Sequence, residues 1–139
     1  MTTAEHLLHL HFETFVDDHE RWKTLIADSL IWELPFAPTL GHPARLEGRS
    51  QVLEHVGWFV GAVENFRFYD LRIHPGANPQ EASAEVKAEG LIKPTGRTYE
   101  QDYVLFVRVE NGKFTFIREY FDPVRAAVAL DVPLPALAG

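Results

Sequence analysis

Glu119 stands in the segment Lys113-Phe114-Thr115-Phe116-Ile117-Arg118-Glu119-Tyr120-Phe121-Asp122-Pro123. A carboxylate among so many aromatic and aliphatic neighbours loses hydration, which is costly unless the group is paired, protonated or put to use. Burial raises its pKa, and a carboxyl group titrating near neutrality suits general acid–base catalysis. The bland alternative is an ion pair within an interface, because structural ion pairs perturb carboxyl groups too. His55 lies in mid-helix beside Val52, Val56 and Phe59. A lone histidine on an apolar face is by default a core residue with one hydrogen bond; facing Glu119, it becomes a proton shuttle. Tyr99 opens a strand, as a half-buried ring with a wet hydroxyl or as a donor to a substrate oxygen. Trp22, Trp32 and Trp58 read as core or pocket wall. Asp122 is a rival base, but its place before Pro123 suits a helix cap.

The other histidines do not combine into a metal site. His6, His9 and His11 fall on one helix, and His9 and His11 do not share a face. No paired-ligand motif is backed by further ligands. A nucleophile elbow and a glycine-rich phosphate loop are both missing. The chain has 139 residues, 46% of them hydrophobic and 12% aromatic, and no cysteine. One domain over residues 1–139 is expected, without disulfide or thiolate chemistry, and the cytoplasm is the expected location. Net charge is −7 with no basic cluster, which argues against nucleic-acid binding. The sequence carries neither a signal-peptide pattern nor an apolar run long enough for a membrane span.

The elements that must position these residues follow from periodicity. Residues 3–17 read as a helix capped by Thr3, with an apolar stripe of Leu7, Leu8, Leu10, Phe12, Phe15 and Val16. A short helix follows over 19–27, then a strand over 30–36 ended by Pro35. Residues 37–48, with Pro38, Gly41, Pro43 and Gly48, read as a long and functional loop, for instance a lid. Ser50 is the expected cap of a third helix running to about residue 63. Strands are expected over 66–74, 82–92, 99–109 and 114–121, and a last helix over 124–130. Between residues 82 and 92, Ala84, Val86 and Ala88 alternate with Glu85, Lys87 and Glu89, which marks one wet face. Helices first and strands after imply an α+β fold. The expected form is a cone-shaped, curved antiparallel sheet covered by three helices of the N-terminal half, with a short C-terminal helix. Its open mouth is a ligand pocket.

The final hairpin admits two registers. A two-residue turn at Asn111-Gly112 pairs Glu119 with Val104; a three-residue loop from Glu110, with Gly112 as a left-handed bulge, pairs it with Tyr103. The second is preferred here. It puts Tyr99, Gln101, Tyr103, Leu105, Ile117, Glu119 and Phe121 on one face, and Asp102, Val104, Phe106, Phe116, Arg118 and Tyr120 on the other. Both faces are too apolar for water, so one lines the pocket and the other is covered by a second chain or by the first helices.

This order of elements, with Gly112-Lys113 and then Arg118-Glu119-Tyr120-Phe121-Asp122-Pro123, resembles the SnoaL-like branch of the nuclear-transport-factor-two-like superfamily. Within it the chain is most similar to the phenazine-biosynthesis A/B proteins. The segment Arg125-Ala126-Ala127-Val128-Ala129-Leu130-Asp131-Val132-Pro133-Leu134-Pro135 strengthens the likeness, which covers about residues 20 to 135. The resemblance implies a catalytic glutamate at Glu119, an active-site histidine at His55 and an active-site tyrosine at Tyr99. It also implies an arginine lent to the pocket by a partner subunit, at Arg21. Where that family has a serine one turn after the histidine, Phe59 stands here, so the pocket is smaller and drier. That family's longer N-terminal arm is not expected in this chain.

The resemblance implies a cofactor-free homodimer paired through the outer face of the sheet. Its chemistry would be acid–base work on a small hydrophobic or cyclic carbonyl compound, by condensation, isomerisation or cyclisation. Glu119, His55 and Tyr99 are the expected catalytic residues, and Arg21, Trp32, Trp58, Phe59, Tyr103 and Phe121 the expected binding residues. The competing reading is a non-catalytic binding or dimerisation domain of the same fold. Convergence of Glu119, His55 and Tyr99 on one cavity separates the two. Epoxide hydrolysis, a third option, calls for an Asp-Arg-Asp constellation that the chain does not clearly offer.

Overall fold

A computed structural model describes residues 2–134, so Pro135 of the C-terminal segment lies outside the described residues. The chain runs α1 (Ala4–Thr14), α2 (His19–Trp22), β1 (Ile26–Glu33), β2 (Arg45–Glu47), α3 (Arg49–Ala62), β3 (Val63–Pro75), β4 (Glu81–Ile92), β5 (Arg97–Glu110), β6 (Lys113–Tyr120) and α4 (Pro123–Leu130). Six strands form one sheet in the order β2-β1-β6-β5-β4-β3. Every pairing is antiparallel except β1 with β6, which run parallel, a departure from the all-antiparallel expectation. Among the described residues no helix is long and apolar enough to cross a membrane.

Thr3 caps α1 as expected, its hydroxyl accepting from His6 N–H at 3.1 Å. The second helix is shorter than its sequence suggests: α2 ends at Trp22, a 3-10 turn covers Lys23–Leu25, and the chain is already extended at Ile26. One turn of helix has no stability of its own. Packing holds it, for Trp22 is fully buried, and truncating such a ring costs about 3–5 kcal/mol. Ser50 does not cap α3. Gly48 is the N-cap, at φ +86°, and Arg49 Nη1 bonds Lys23 O and Ile26 O at 2.7 and 3.1 Å, tying the start of α3 to the start of β1. Residues 37–48 hold a 3-10 turn at Ala37–Leu40 and the short edge strand β2, which the proline and glycine content concealed.

Curvature comes from bulges, where an extra residue bends a strand. β3 shifts register twice against β4, beside Asn65 and Asp70, both in the left-handed region at φ +51° and +52°. Asn and Asp are the non-glycine residues that tolerate it best. At the first bulge a Cβ on Gly90 would lie 2.9 Å from Phe66 Cα, so only glycine lets the two strands approach there.

The final hairpin adopts neither expected register. Its turn has two residues, Asn111 and Gly112, both at positive φ, which matches the right-handed strand twist. A bulge then adds a residue on β6 between Phe114 and Phe116, and Glu119 ends opposite Leu105. The shift from the preferred register is two residues, and a two-residue shift preserves the faces. Tyr99, Gln101, Tyr103, Leu105, Ile117 and Glu119 therefore share the concave side, under α1.

Candidate active site

Side chains from α1, α3, α4, the 37–48 segment and the concave side of the sheet enclose a cavity of about 450 Å³. Its walls are mostly apolar. Glu119, His55 and Tyr99 all line it, as do Trp32, Trp58, Phe59, Tyr103 and Phe121. Arg21 does not: it lies exposed on α2, and its backbone N–H is spent on the Asp18 cap.

The Glu119 side chain enters from β6. Among the described residues no group gives its carboxyl a hydrogen bond or an ion pair. It lines the cavity and is only partly accessible. Burial without a partner disfavours the charged form and pushes its pKa up to about 8.

Tyr99, Gln101 and Tyr103 alternate along β5 and so point to the same side. The hydroxyls of Tyr99 and Tyr103 are 2.8 Å apart, and Gln101 Nε2 donates to Tyr99 at 3.1 Å. Gln101 is 2% exposed and fully bonded: Nε2 also donates to Asp122 O, and Oε1 accepts from the N–H groups of Asp102 and Asp122. This amide joins the tyrosine pair to Asp122, which caps α4 by accepting from Val124 and Arg125 N–H. With one acceptor site of Tyr99 filled by Gln101, one hydroxyl proton of the pair stays available to the cavity. Burial raises the Tyr99 pKa to about 12, against the opposing hydrogen bonds from Tyr103 and Gln101, and burial also raises that of Tyr103. Both are neutral donors at ordinary pH.

His55 reaches the cavity from α3. Its pKa is lowered, first by burial and then by His42, whose ring lies 6.0 Å away across the mouth. Trp58 marks the same opening at 56% exposure. Phe59 packs against Phe66 at 5.4 Å and Tyr99 at 6.1 Å, an apolar wall beside the tyrosine. Trp32 is buried, and among the described residues its indole N–H has no partner.

Two polar cavity residues, His11 and His42, escaped the sequence reading, as did the role of Gln101, buried behind the tyrosine pair. His11 could have been found, because it extends the stripe of Leu7 and Leu8 at helical spacing, one turn before Phe15. Gln101 shares the periodicity of Tyr99 and Tyr103 and was placed on their face without a role. His42 gave no signal, since it sits in the irregular segment between Pro38 and Pro43.

A family model described as the SnoaL-like domain matches residues 10–117. An uncharacterized PhzA/B-like protein of Pseudomonas aeruginosa is 29% identical over 113 residues, covering 81% of this chain and 79% of its own. A Bacillus subtilis protein provisionally named an isomerase superposes with a TM-score of 0.82 at 22% identity, covering 92% of both chains. A phenazine biosynthesis-related protein of Pseudomonas aeruginosa gives 0.76 at 20% identity, covering 96% of this chain and 88% of its own. At these identities the two solved structures speak for the fold alone.

Proposed function

The chain belongs to the SnoaL-like domain family, and from that premise we propose that it is a cofactor-independent acid–base enzyme of isomerase or cyclase type. Its substrate is a small cyclic molecule bearing a carbonyl group. The observation that carries the reading is the unpaired Glu119 carboxyl, raised to about 8, in an apolar cavity beside two neutral tyrosine hydroxyls.

In this reading ionised Glu119 removes a proton from the carbon next to the carbonyl. The C–H electron pair moves into a new C=C bond and the carbonyl pair onto oxygen. Tyr99, with Tyr103 behind it, donates to that developing oxyanion. Glu119 then returns its proton to another carbon, or the enolate carbon attacks a second carbonyl of the substrate, whose π pair moves onto its oxygen and takes the proton from Glu119. His55 orients the substrate or relays protons at the mouth. Phe59 keeps the tyrosine side dry and limits the ring system that fits.

The test is Glu119→Gln with cyclohex-3-enone as probe, following formation of the conjugated isomer. Turnover is expected to fall about a hundred- to ten-thousand-fold with fold and binding retained. Turnover at the wild-type rate in the variant would overturn the assignment. Binding of cyclic ketones by the wild-type chain with no turnover of any would assign it instead to the non-catalytic members of the fold.

The same premise extends to a partner, and we propose a second copy of this chain on the outer side of the sheet. Phe36 and Phe106, 46% and 45% exposed, flank Tyr120 at 5.3 and 6.2 Å in one aromatic patch, larger than scattered surface side chains require. Phe106→Asp is expected to turn a dimer into a monomer in sedimentation equilibrium. A wild-type chain that sediments as a monomer refutes it.

A further inference from the structure

His11 is the most deeply set polar residue of the cavity wall, 2% exposed on α1. Rings surround it: Phe12, Phe15, Trp22, Trp32 and Phe114 lie with centroids 4.8 to 6.3 Å away. One polar contact defines its state. The indole N–H of fully buried Trp22 reaches His11 Nδ1 at 2.9 Å. An indole nitrogen can only donate, so Nδ1 must accept, and the single proton of the neutral imidazole stands on Nε2. Burial supports the neutral form by pulling the pKa down to about 3. Among the described residues Nε2 has no hydrogen-bond partner, and it is not sealed off in the way the indole nitrogen of Trp32 is.

A donor that opens on an apolar cavity with no protein acceptor favours an occupant that supplies one, since sealing it in unpaired would cost roughly 1–3 kcal/mol. We infer that His11 Nε2–H is a fixed donor to the ligand, receiving a carbonyl oxygen or ring nitrogen carried at a distance from the reacting carbonyl. The wall keeps the His11 ring and the tyrosine pair from touching. From His11 the rings run through Phe15 and Phe68 to Tyr103, at centroid distances of 5.3, 6.2 and 6.3 Å. Among the described residues the His11 and Tyr103 rings make no contact with each other and are joined through intervening rings, so the two polar groups stand apart on one aromatic surface. The matching ligand is flat, cyclic and polar at two separated points, which narrows the substrate class proposed above and rests on that reading of the cavity.

The test reads tautomer and binding, not turnover, so its outcome is independent of whether Glu119 is catalytic. Nitrogen-15 NMR of the imidazole is expected to show His11 as the Nε2–H tautomer across neutral pH. In Trp22→Phe that tautomer loses its exclusivity. Two probes are then titrated, cyclohexane-1,4-dione with acceptors at both ends and cyclohexanone with one. The dione should perturb His11 Nε2 and bind about three- to ten-fold more tightly after correction for its two equivalent ends, the worth of one neutral hydrogen bond. The double variant His11→Phe/Trp22→Phe removes both partners and leaves no orphaned group, so it is expected to fold and to lose that preference. An Nδ1–H tautomer, a dione that leaves Nε2 unmoved, or an unchanged preference in the folded double variant would each overturn the inference. A lost preference alongside a fully active Glu119→Gln would leave His11 standing and remove the catalytic reading alone.

Discussion

Arg118 and Glu119 are neighbours on β6, yet the two faces of that strand treat charge in opposite ways. On the convex side Arg118 Nε donates to Glu33 at 2.8 Å, and its guanidinium lies 5.2 Å from the centre of the Phe116 ring. The hydrogen bond to Glu33 raises the arginine pKa, which keeps the guanidinium charged. On the concave side Glu119 meets no cation among the described residues, and burial drives it toward the neutral acid. Residue type does not separate Glu33 from Glu119; partner and water do. A paired carboxylate at a wet surface is electrostatically spent, whereas an unpaired one in an apolar cavity keeps its proton available for exchange near neutral pH.

The largest effects should therefore fall on one face. Glu119→Gln is expected to lower turnover of the cyclohexenone probe about a hundred- to ten-thousand-fold, while Glu33→Gln leaves it within about two-fold, a gap set by the typical worth of a positioned acid–base group. In the wild type, rate should rise with pH through about 8 as the carboxylate forms, and then level off. A limb falling through the same pH would make Glu119 the acid instead of the base, and a flat profile would remove it from the chemistry. The same variant has a stability signature. The folded pKa lies above the unfolded value of 4.5, so folded protein holds a proton that the unfolded chain releases. Stability is then full below about 4.5, declines up to about 8 and is level beyond, a total on the order of a few kcal/mol. Chemical denaturation across pH should show this decline in wild type and lose it in Glu119→Gln. His11 acts with the opposite sign: its folded pKa is depressed, so its contribution disappears as pH falls from 6.5 towards 3.

A middle-sized effect belongs to Gln101, which lies on the inner face but carries no charge. Gln101→Leu keeps the volume and orphans the N–H of Asp122, whose C=O retains only the Ala126 N–H at 3.2 Å. The expected loss is about 3 kcal/mol in denaturant unfolding, with turnover reduced roughly ten-fold as the tyrosine pair loosens. Unchanged stability would mean that α4 is held without this amide.

How far the sequence reaches depends on whether a feature is periodic or local. Alternation on β4 and β5 assigned their faces correctly, because burial acts on every second residue. It could not reveal the bulge beside Thr115, where one inserted residue leaves the outward pattern of Phe116, Arg118 and Tyr120 intact. The faces of the final hairpin were thus legible and its register was not. Parallel pairing of β1 with β6 was hidden for a related reason: a strand half buried between neighbours of either direction shows the same composition. At the site, Glu119 stood out as a charge among aromatics, and His55 and Tyr99 entered through family resemblance. His11 was weighed only as a metal ligand, because its role depends on Trp22, eleven residues away and adjacent only once α2 folds back.

The smallest expected effect is the one that most sharply separates the two faces. Arg118→Ala removes the partner of Glu33 and the guanidinium over Phe116, one residue from the proposed catalytic group. If proximity along the chain governed Glu119, this change would move its titration and its rate. The strand lies between them, however, and Glu33 can turn to Arg45, already 4.0 Å away, or to water. Exposed ion pairs contribute little in any case. The melting temperature is therefore expected to stay within about 2 °C and the pH–rate profile to be superimposable on wild type. A shift of the limb near pH 8 in this variant would mean that charge on the convex face is felt through the sheet. The two faces would then form one electrostatic site, and the raised pKa of Glu119 would owe less to its dry cavity than the burial argument holds.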